Sequence, residues 1–243
     1  MKAVILAGGL GTRLKPFTEV IPKPLLPVGE KAILQIQIEH LRAHGFDEIY
    51  LATNYKSEYI SNFFGKGELL GVRLTISKEN EPLGTAGPLG LLREELTEPF
   101  LVMNGDILTQ ADYTLLFEAA MRSTSILTLG IRKEVFPFRF GNISFSGDYV
   151  TGIEEKPDLI TWILAGIYVM KPEILDHIPP GRTYGMDQLI RDLLMKQVPV
   201  AKYEIREYWI DIGKVDDYEQ AQKDYRIYFG QDARGREEYS SDQ

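Results

Sequence analysis

Cysteine is absent from this 243-residue chain. That excludes disulfides, thiolate nucleophiles and sulfur-ligated metals, and it fits a cytoplasmic protein. Histidine is almost as scarce: His40, His44 and His177 are the whole supply. His40 and His44 lie four apart on a predicted helix, but no third ligand accompanies them, so they read as surface residues rather than a zinc site. The N-terminal apolar run, Ala3-Val4-Ile5-Leu6-Ala7, is too short to span a membrane and is cut by Gly8-Gly9. It also lacks the form of a secretory signal. Positive charge is in deficit, with 27 Lys and Arg against 35 Asp and Glu and a formal net charge of -8. That argues against nucleic-acid or membrane-surface partners while allowing a local basic pocket. Internal repeats and low-complexity linkers are missing as well, so the length suits one large domain with an ample core.

What is present concentrates at the start. A buried strand ends in the glycine turn Gly8-Gly9-Leu10-Gly11, followed by Thr12-Arg13-Leu14 and the proline-flanked Pro22-Lys23-Pro24. Glycines let a ligand approach the main chain, and backbone N–H groups in such a turn form an anion-binding concavity. Arg13 adds a planar fork of donors and Lys23 a mobile point charge. The turn is therefore read as a phosphate site. A Walker loop is excluded because no Gly-Lys-Ser/Thr follows. A dinucleotide fingerprint is disfavoured because Leu14 stands where the third glycine belongs and the second strand ends in Thr53-Asn54, not an acid. A purely structural turn would leave Arg13 and Lys23 unexplained.

Along the chain, apolar spacing predicts a helix over 32–44 with Leu34, Ile38 and Leu41 on one face, and a strand over 48–52. A short helix over 57–64 carries Tyr59, Ile60, Phe63 and Phe64, and a half-buried strand carries Val72, Leu74 and Ile76. Thr85 is placed to cap a helix opening near Pro88. A strand over 99–103 closes in Asn104-Gly105-Asp106, then a helix over 112–122 and a strand over 126–131 follow. Alternating strands and helices mean an α/β fold with a Rossmann-like, mainly parallel sheet flanked by helices. After Lys133 the pattern changes to a hairpin over 142–155 and a strand over 163–169, a small antiparallel insertion. A helix over 184–196 follows, with Leu189, Leu193 and Leu194 as its apolar side. Late strands over 200–205 and 208–212 and a closing helix over 215–228 complete the pattern. One domain over 1–230 is expected, with a nucleotide half to about 132 and a second half over 133–230. A polar, frayed tail over 231–243 ends the chain.

Three groups stand out chemically. Asp106 lies just past the C-terminal end of a buried strand, where open α/β sheets bind ligands, and a carboxylate facing phosphates there suits Mg²⁺. Alone, a turn or capping aspartate explains it better. Asp211 sits inside the apolar run Trp209-Ile210-Asp211-Ile212-Gly213. An unpaired buried charge is expensive, so a metal or a cation brought in by the fold is expected beside it. Lys156, in Glu154-Glu155-Lys156-Pro157, could aim its ammonium at a second anion, although a solvated charge run explains those four residues alone. Taken together, two cations, two carboxylates and a third cation suit phosphoryl or nucleotidyl transfer.

The segments Leu6–Leu14, Pro22–Val28, Pro82–Gly87, Asn104–Asp106, Glu154–Pro157 and Trp209–Gly213 stand in an order that resembles the sugar-1-phosphate nucleotidyltransferases. The resemblance covers nearly the whole chain. It implies a GT-A-like nucleotidyltransferase fold and the transfer of a nucleotidyl group from a nucleoside triphosphate to a sugar 1-phosphate, with pyrophosphate released. By that resemblance, Leu6, Ala7, Gly8, Gly9, Gly11 and Thr12 cradle the nucleotide, with Arg13 and Lys23 on the triphosphate. Glu81, Gly84 and Thr85 face the base, and Asp106 and Asp211 hold Mg²⁺. Lys156 takes the sugar phosphate, with Gly141, Glu155 and Gly166 around the sugar. The Pro-Lys-Pro and Pro-Leu-Gly-Thr-Ala-Gly segments lean toward the mannose- and heptose-1-phosphate guanylyltransferase branch, and thus toward GTP. Thymidylyl, uridylyl or cytidylyl transfer is the alternative. Leu164 replaces the asparagine that many relatives carry before Ala165-Gly166, which bears on sugar choice. The β-helical extension of many relatives, and acetyltransferase activity with it, is not expected here, and a homodimer is compatible with the reading. The rivals are a glycosyltransferase, which usually carries Asp-x-Asp where this chain has Asn104-Gly105-Asp106, and a non-catalytic nucleotide sensor.

Overall fold

A computed structural model of the chain describes residues 1–9, 11–54 and 56–230. Leu10 of the opening turn and the tail expected to fray over 231–243 lie outside the described residues. In chain order the first half holds β1 (Lys2–Leu6), α1 (Phe17–Val20), β2 (Pro27–Val28), β3 (Lys31–Ala32), α2 (Ile33–Ala43), β4 (Glu48–Thr53), α3 (Ser57–Phe64), β5 (Arg73–Lys78), β6 (Phe100–Asn104), β7 (Ile107–Thr109) and α4 (Tyr113–Arg122). The second half holds β8 (Leu127–Pro137), β9 (Asn142–Ser146), β10 (Tyr149–Glu154), β11 (Asp158–Met170), α5 (Met186–Met195), β12 (Val200–Glu204), β13 (Trp209–Asp211) and α6 (Val215–Tyr228).

Seven strands form one sheet in the order β12-β8-β11-β6-β1-β4-β5. Within it only β11 is reversed, antiparallel to β6 and β8, while β1, β4, β5 and β6 run parallel and β12 runs parallel to β8. Helices on both faces explain why β1 is apolar at successive positions. Ala3 and Ile5 pack with Leu34, Ile38 and Leu41 of α2 and Leu116 of α4. Val4 faces the other way, toward Leu189 and Leu193 of α5. Each fully buried aliphatic side chain of this kind is worth roughly 1.5–3 kcal/mol. A third cluster joins Leu14, Leu26 and Val28 of the opening segment to Ile212 and to Ala221 and Tyr225 of α6.

Several local expectations are corrected. Leu194 is 59% exposed, because the buried stripe of α5 is Met186, Leu189 and Leu193 and Leu194 falls one step out of phase. Tyr59 and Phe63 also face solvent; the buried positions of α3 are Ser57 and Ile60. Thr85 caps no helix of its own. The segment after it is a 3-10 helix over Gly87–Leu92, and the Thr85 hydroxyl instead accepts the Met186 N–H at 2.7 Å, at the start of α5. His40 and His44 are half-buried, not free surface residues. His40 Nε2 lies 2.9 Å from the Ala111 carbonyl, and its ring meets Tyr113 edge-on at 4.8 Å. Burial lowers the His40 pKa to about 4. Finally, β8 and β11 are longer than their apolar runs. They pair from Arg132–Pro137 to Asp158–Ile163, outside the stretches that β12 and β6 pair with, as a two-stranded ribbon.

Candidate active site

The parallel strands β1, β4, β5 and β6 end on one edge of the sheet, and the site is built there. Beyond Leu6 the backbone stays pinned between its neighbours: Ala7 N–H donates to the Ala52 carbonyl at 2.8 Å and Gly105 N–H to the Leu6 carbonyl at 2.9 Å. Gly11 turns the chain with φ +61°, a left-handed conformation that favours glycine. The Thr18 hydroxyl donates to the Gly11 carbonyl at 2.8 Å and fixes the turn. A short 3-10 helix, Thr12–Leu14, then buries Leu14 and leaves Arg13 outside.

Lys23 starts a second 3-10 turn, Lys23–Leu25, held between Pro22 and Pro24. Its Nζ donates to Asp106 Oδ2 at 2.6 Å, and the two side chains are only 10% and 28% exposed. Asp211 reaches the same place from the far end of the chain. β13 pairs antiparallel with β7, Asp211 standing opposite Ile107, and Ile212 N–H donates to the Asp106 carbonyl at 2.9 Å. The sequence pointed to an acid buried in an apolar strand. Instead β13 is three residues long and, among the described residues, paired only to β7, so the Asp211 side chain opens to solvent. Its carboxyl pKa is still raised, first by partial desolvation and then by the charge of Asp106, with Lys23 and Arg13 opposing. That direction is the signature of two carboxylates sharing one field.

Lys23 and Asp106 line a cleft of about 190 Å³. Leu6, Ala7, Gly9, Gly11 and Thr12 form its turn side; Arg13, Lys23 and Asp106 are its charges; Gly105 and Gly213 leave its floor bare of side chains. Arg13 and Gly213 also border a second, wider cleft of about 500 Å³ with Asp211, Trp209, Arg132 and Glu134. Arg13 thus stands between the two spaces. Gly8 lies behind the turn rather than on the cleft wall: a Cβ there would meet Glu79 Oε1 at 3.0 Å.

The remaining expected residues are more scattered. Glu81, Gly84 and Thr85 do not line the cleft and belong to a loop stitched to residues 183–186, where Tyr184 N–H donates to the Leu83 carbonyl at 2.8 Å and the Thr183 hydroxyl to the Pro82 carbonyl at 2.7 Å. Gly166 is nearer, packed on Asn104 so closely that a Cβ would stand 2.7 Å from its Nδ2. Gly141 and Glu155 come together, a Cβ at Gly141 lying 3.2 Å from Glu155 Oε2. Lys156 is 68% exposed, 3.9 Å from the Glu155 carboxylate, and lines neither cleft.

Glu79 was missed. It is 5% exposed, accepts the Leu83 N–H at 2.8 Å through Oε2, and turns Oε1 toward Gly8. Burial raises its pKa, opposed by that hydrogen bond. The available signal was its position: it directly follows the parallel strand β5, as Asp106 closely follows β6, at the edge where open α/β sheets bind ligands. Among the described residues no three acids or histidines gather for a metal. The Asp106–Asp211 pair is nevertheless the donor set Mg²⁺ accepts, since that ion takes one or two carboxylates and fills its shell with water and phosphate oxygens.

The chain is similar to known proteins over nearly its whole length. A family model described as nucleotidyl transferase matches residues 2–227. Mannose-1-phosphate guanylyltransferase 1 of Arabidopsis thaliana is 37% identical over 227 residues, covering 90% of this chain and 63% of that protein. UTP–glucose-1-phosphate uridylyltransferase of Synechocystis is 33% identical over 241 residues, covering 91% and 62%. The crystal structure of HddC from Yersinia pseudotuberculosis, also solved with GMP-PN, superposes with a TM-score of 0.73 at 30% identity, covering 92% of this chain and 99% of that one. The chain spans about 63% of the length of the curated relatives it matches. With the match running from β1 to the end of α6, and therefore through every group that forms the cleft, the chain belongs to the nucleotidyl transferase family.

Proposed function

We propose that this chain transfers a nucleotidyl group from a nucleoside triphosphate to a sugar 1-phosphate and releases pyrophosphate. The observation that carries this is the convergence of a bare glycine turn, Arg13, Lys23 and Asp106 on one cleft, with Asp211 beside it. A sugar-phosphate oxygen attacks the α-phosphorus in line. The P–O bond to the β-phosphate breaks and the electron pair leaves on pyrophosphate. No proton acceptor is needed, because the attacking phosphate oxygen is already anionic. The chain's work is positioning and charge neutralisation. Turn N–H groups and Lys23 hold the triphosphate; the Lys23 ammonium has three donors, enough to keep Asp106 and take a phosphate oxygen. Arg13, between the two clefts, neutralises charge growing on the leaving group. Asp106 and Asp211 hold Mg²⁺, which when bound supplies a Lewis acid for the phosphate oxygens. The exposed Lys156, with Glu155 and Gly141, takes the sugar phosphate. The division of labour follows the chain, with nucleotide groups mostly before residue 132 and sugar groups after it.

Glu79 favours guanine. A buried carboxylate with a spare acceptor can take the adjacent N1–H and N2–H donors of that base, and no other common base presents such a pair. The Arabidopsis relative and the GMP-PN complex of HddC agree with the choice. GTP with mannose or heptose 1-phosphate is thus the leading pair. A pyrophosphate-release assay with Mg²⁺ across five nucleoside triphosphates and a panel of sugar 1-phosphates tests it. GTP should turn over best; folded protein that turns over no pair would sink the reaction, and a preference for dTTP or UTP would sink the base.

A further inference from the structure

Gln37 is the polar exception on the buried side of α2. Its neighbours Leu34, Ile36, Ile38 and Leu41 are at most 4% exposed, and Gln37 itself is 2% exposed. An amide in such a place costs stability unless its hydrogen-bonding groups are met. Nε2 meets two carbonyl oxygens, that of Asn104 at 3.0 Å and that of Ile107 at 2.7 Å, which uses both of its N–H donors. Oε1 is buried and meets no donor among the described residues. Turning the amide over would not help, since Oε1 would then face the same two carbonyl oxygens. The core therefore tolerates an orphaned acceptor for the sake of two bonds to a single turn.

That turn carries Asp106. The pairing of β6 with β11 ends at Met103, and its pairing with β1 ends at Asn104. β7 begins at Ile107 and pairs, among the described residues, only with β13. Gly105 and Asp106 thus cross from one sheet to another, and Gln37 grips both ends of the crossing. The same helix also holds Lys23. Ile33 N–H donates to the Leu26 carbonyl at 3.0 Å, and Leu26 N–H donates to the Lys23 carbonyl at 3.1 Å. Ile33 and Gln37 are one helical turn apart, about 6 Å along the axis. α2 is therefore a ruler between the Lys23 turn and the Asp106 turn.

We propose that Gln37 is a positioning residue: its amide staples the Asn104–Ile107 turn to α2 and so sets the Asp106 carboxylate against Lys23. Gln37 lines neither cleft and acts only through Asp106. Its effect on turnover rests on the proposed function; its effect on the turn does not.

Amide hydrogen exchange, read by mass spectrometry on the full chain without substrate, tests the staple. Gln37→Met keeps the length of the side chain and removes the amide. Amides of 105–108 and 210–213 should then exchange about tenfold faster, while β4 and β5 keep wild-type protection. Gln37→Asn leaves the amide one methylene short of both carbonyls and should give the same local change, so the test does not depend on one variant folding. Ile38→Val trims the neighbouring buried side chain and is the stability control. In pyrophosphate release both Gln37 variants should lose about 10–100-fold in kcat, with the KM for GTP moving less than about threefold, whereas Ile38→Val keeps its kcat. Unchanged exchange at 105–108, or faster exchange spread evenly through β4 and β5, overturns the staple. Wild-type kcat beside faster local exchange, or an equal loss of kcat in Ile38→Val, overturns the positioning role. If wild type turns over no substrate pair, the proposed function fails and the exchange rates still decide the staple.

Discussion

Gly105 tests whether the cleft depends on backbone packing rather than on its charged groups alone. A Cβ at Gly105 would lie 2.8 Å from the Leu6 carbonyl oxygen, 3.2 Å from Ala7 Cα and 3.3 Å from the Leu6 carbonyl carbon. All three are main-chain atoms, so no side chain can swing aside. Reaching ordinary contact means opening the ends of β1 and β6 by ~0.6 Å, against the 2.9 Å bond from Gly105 N–H to Leu6. Overpacking of this size costs roughly 1–3 kcal/mol. The same shift moves Asp106, the next residue, against the turn that begins at Ala7. A misplacement of about 1 Å costs on the order of 100-fold, so Gly105→Ala should lose about 10–100-fold in kcat. Gly90→Ala is the control, since its Cβ would meet nothing nearer than Ile178 Cγ2 at 3.7 Å. Urea denaturation and steady-state pyrophosphate release, run on both variants, give the two readouts. Wild-type kcat together with an unshifted midpoint in Gly105→Ala would refute the reasoning.

Three further expectations follow from individual side chains. Asp106→Asn keeps the size of the side chain but removes the charge that Lys23 meets at 2.6 Å. Turnover should fall by roughly 100-fold or more while the fold survives, and near-wild-type kcat would take Asp106 out of the metal role. Glu79→Gln separates recognition from stability. The raised pKa means that ionised Glu79 costs stability as pH rises through its folded value, so the variant should gain stability relative to wild type at pH 8 and lose that gain in acid. Its preference for GTP over other triphosphates should shrink about tenfold; an unchanged preference would remove Glu79 from base recognition. His40 supplies an acid sensitivity. The unfolded imidazole takes a proton near pH 6.5 and the folded one only near pH 4, so its contribution is complete above pH 6.5 and is lost as pH falls toward 4. The loss is about 3 kcal/mol, and His40→Gln should flatten the fall of the denaturation midpoint over that range. Parallel slopes in the two proteins would contradict it.

Much of the fold was legible because buried parallel strands and amphipathic helices write their periods plainly. The apolar run before Gly8 and the spacing of Leu34, Ile38 and Leu41 needed no tertiary information. What failed depended on the third dimension. Leu194 is apolar at a helical position, yet one step of phase turns it to solvent. Asp211 looked buried because its neighbours are apolar, but burial depends on how many strands cover β13, and only β7 does. Glu79 was overlooked for the opposite reason: three polar residues, Glu79, Asn80 and Glu81, look alike in a line, and only folding buries the first and exposes the others. The long β8–β11 ribbon was invisible to a search for buried runs because its side chains are half in water.

The cleft joins groups separated by almost the whole chain, and the join itself is small. Asp211 reaches Asp106 through three residue pairs between β13 and β7. So short a pairing cannot hold a charged pair in register unaided, since each residue fixed costs about 1–2 kcal/mol of backbone entropy. The cluster beneath it supplies the difference. Ile212, next to Asp211, packs with Leu14, next to Arg13, and both rest against Ala221 and Tyr225 of α6. Further contacts tie α6 to the opening segment, where Gln222 accepts the Gly29 N–H at 2.9 Å and donates to the Pro27 carbonyl at 2.6 Å. A helix that contributes no side chain to the 190 Å³ cleft therefore sets the spacing between its cations and the Asp106–Asp211 pair. The glycine turn that opens the chain is then only half of the proposed phosphate site. Its geometry depends on the last helix folding back over it, and the two are expected to loosen together, as one cooperative unit.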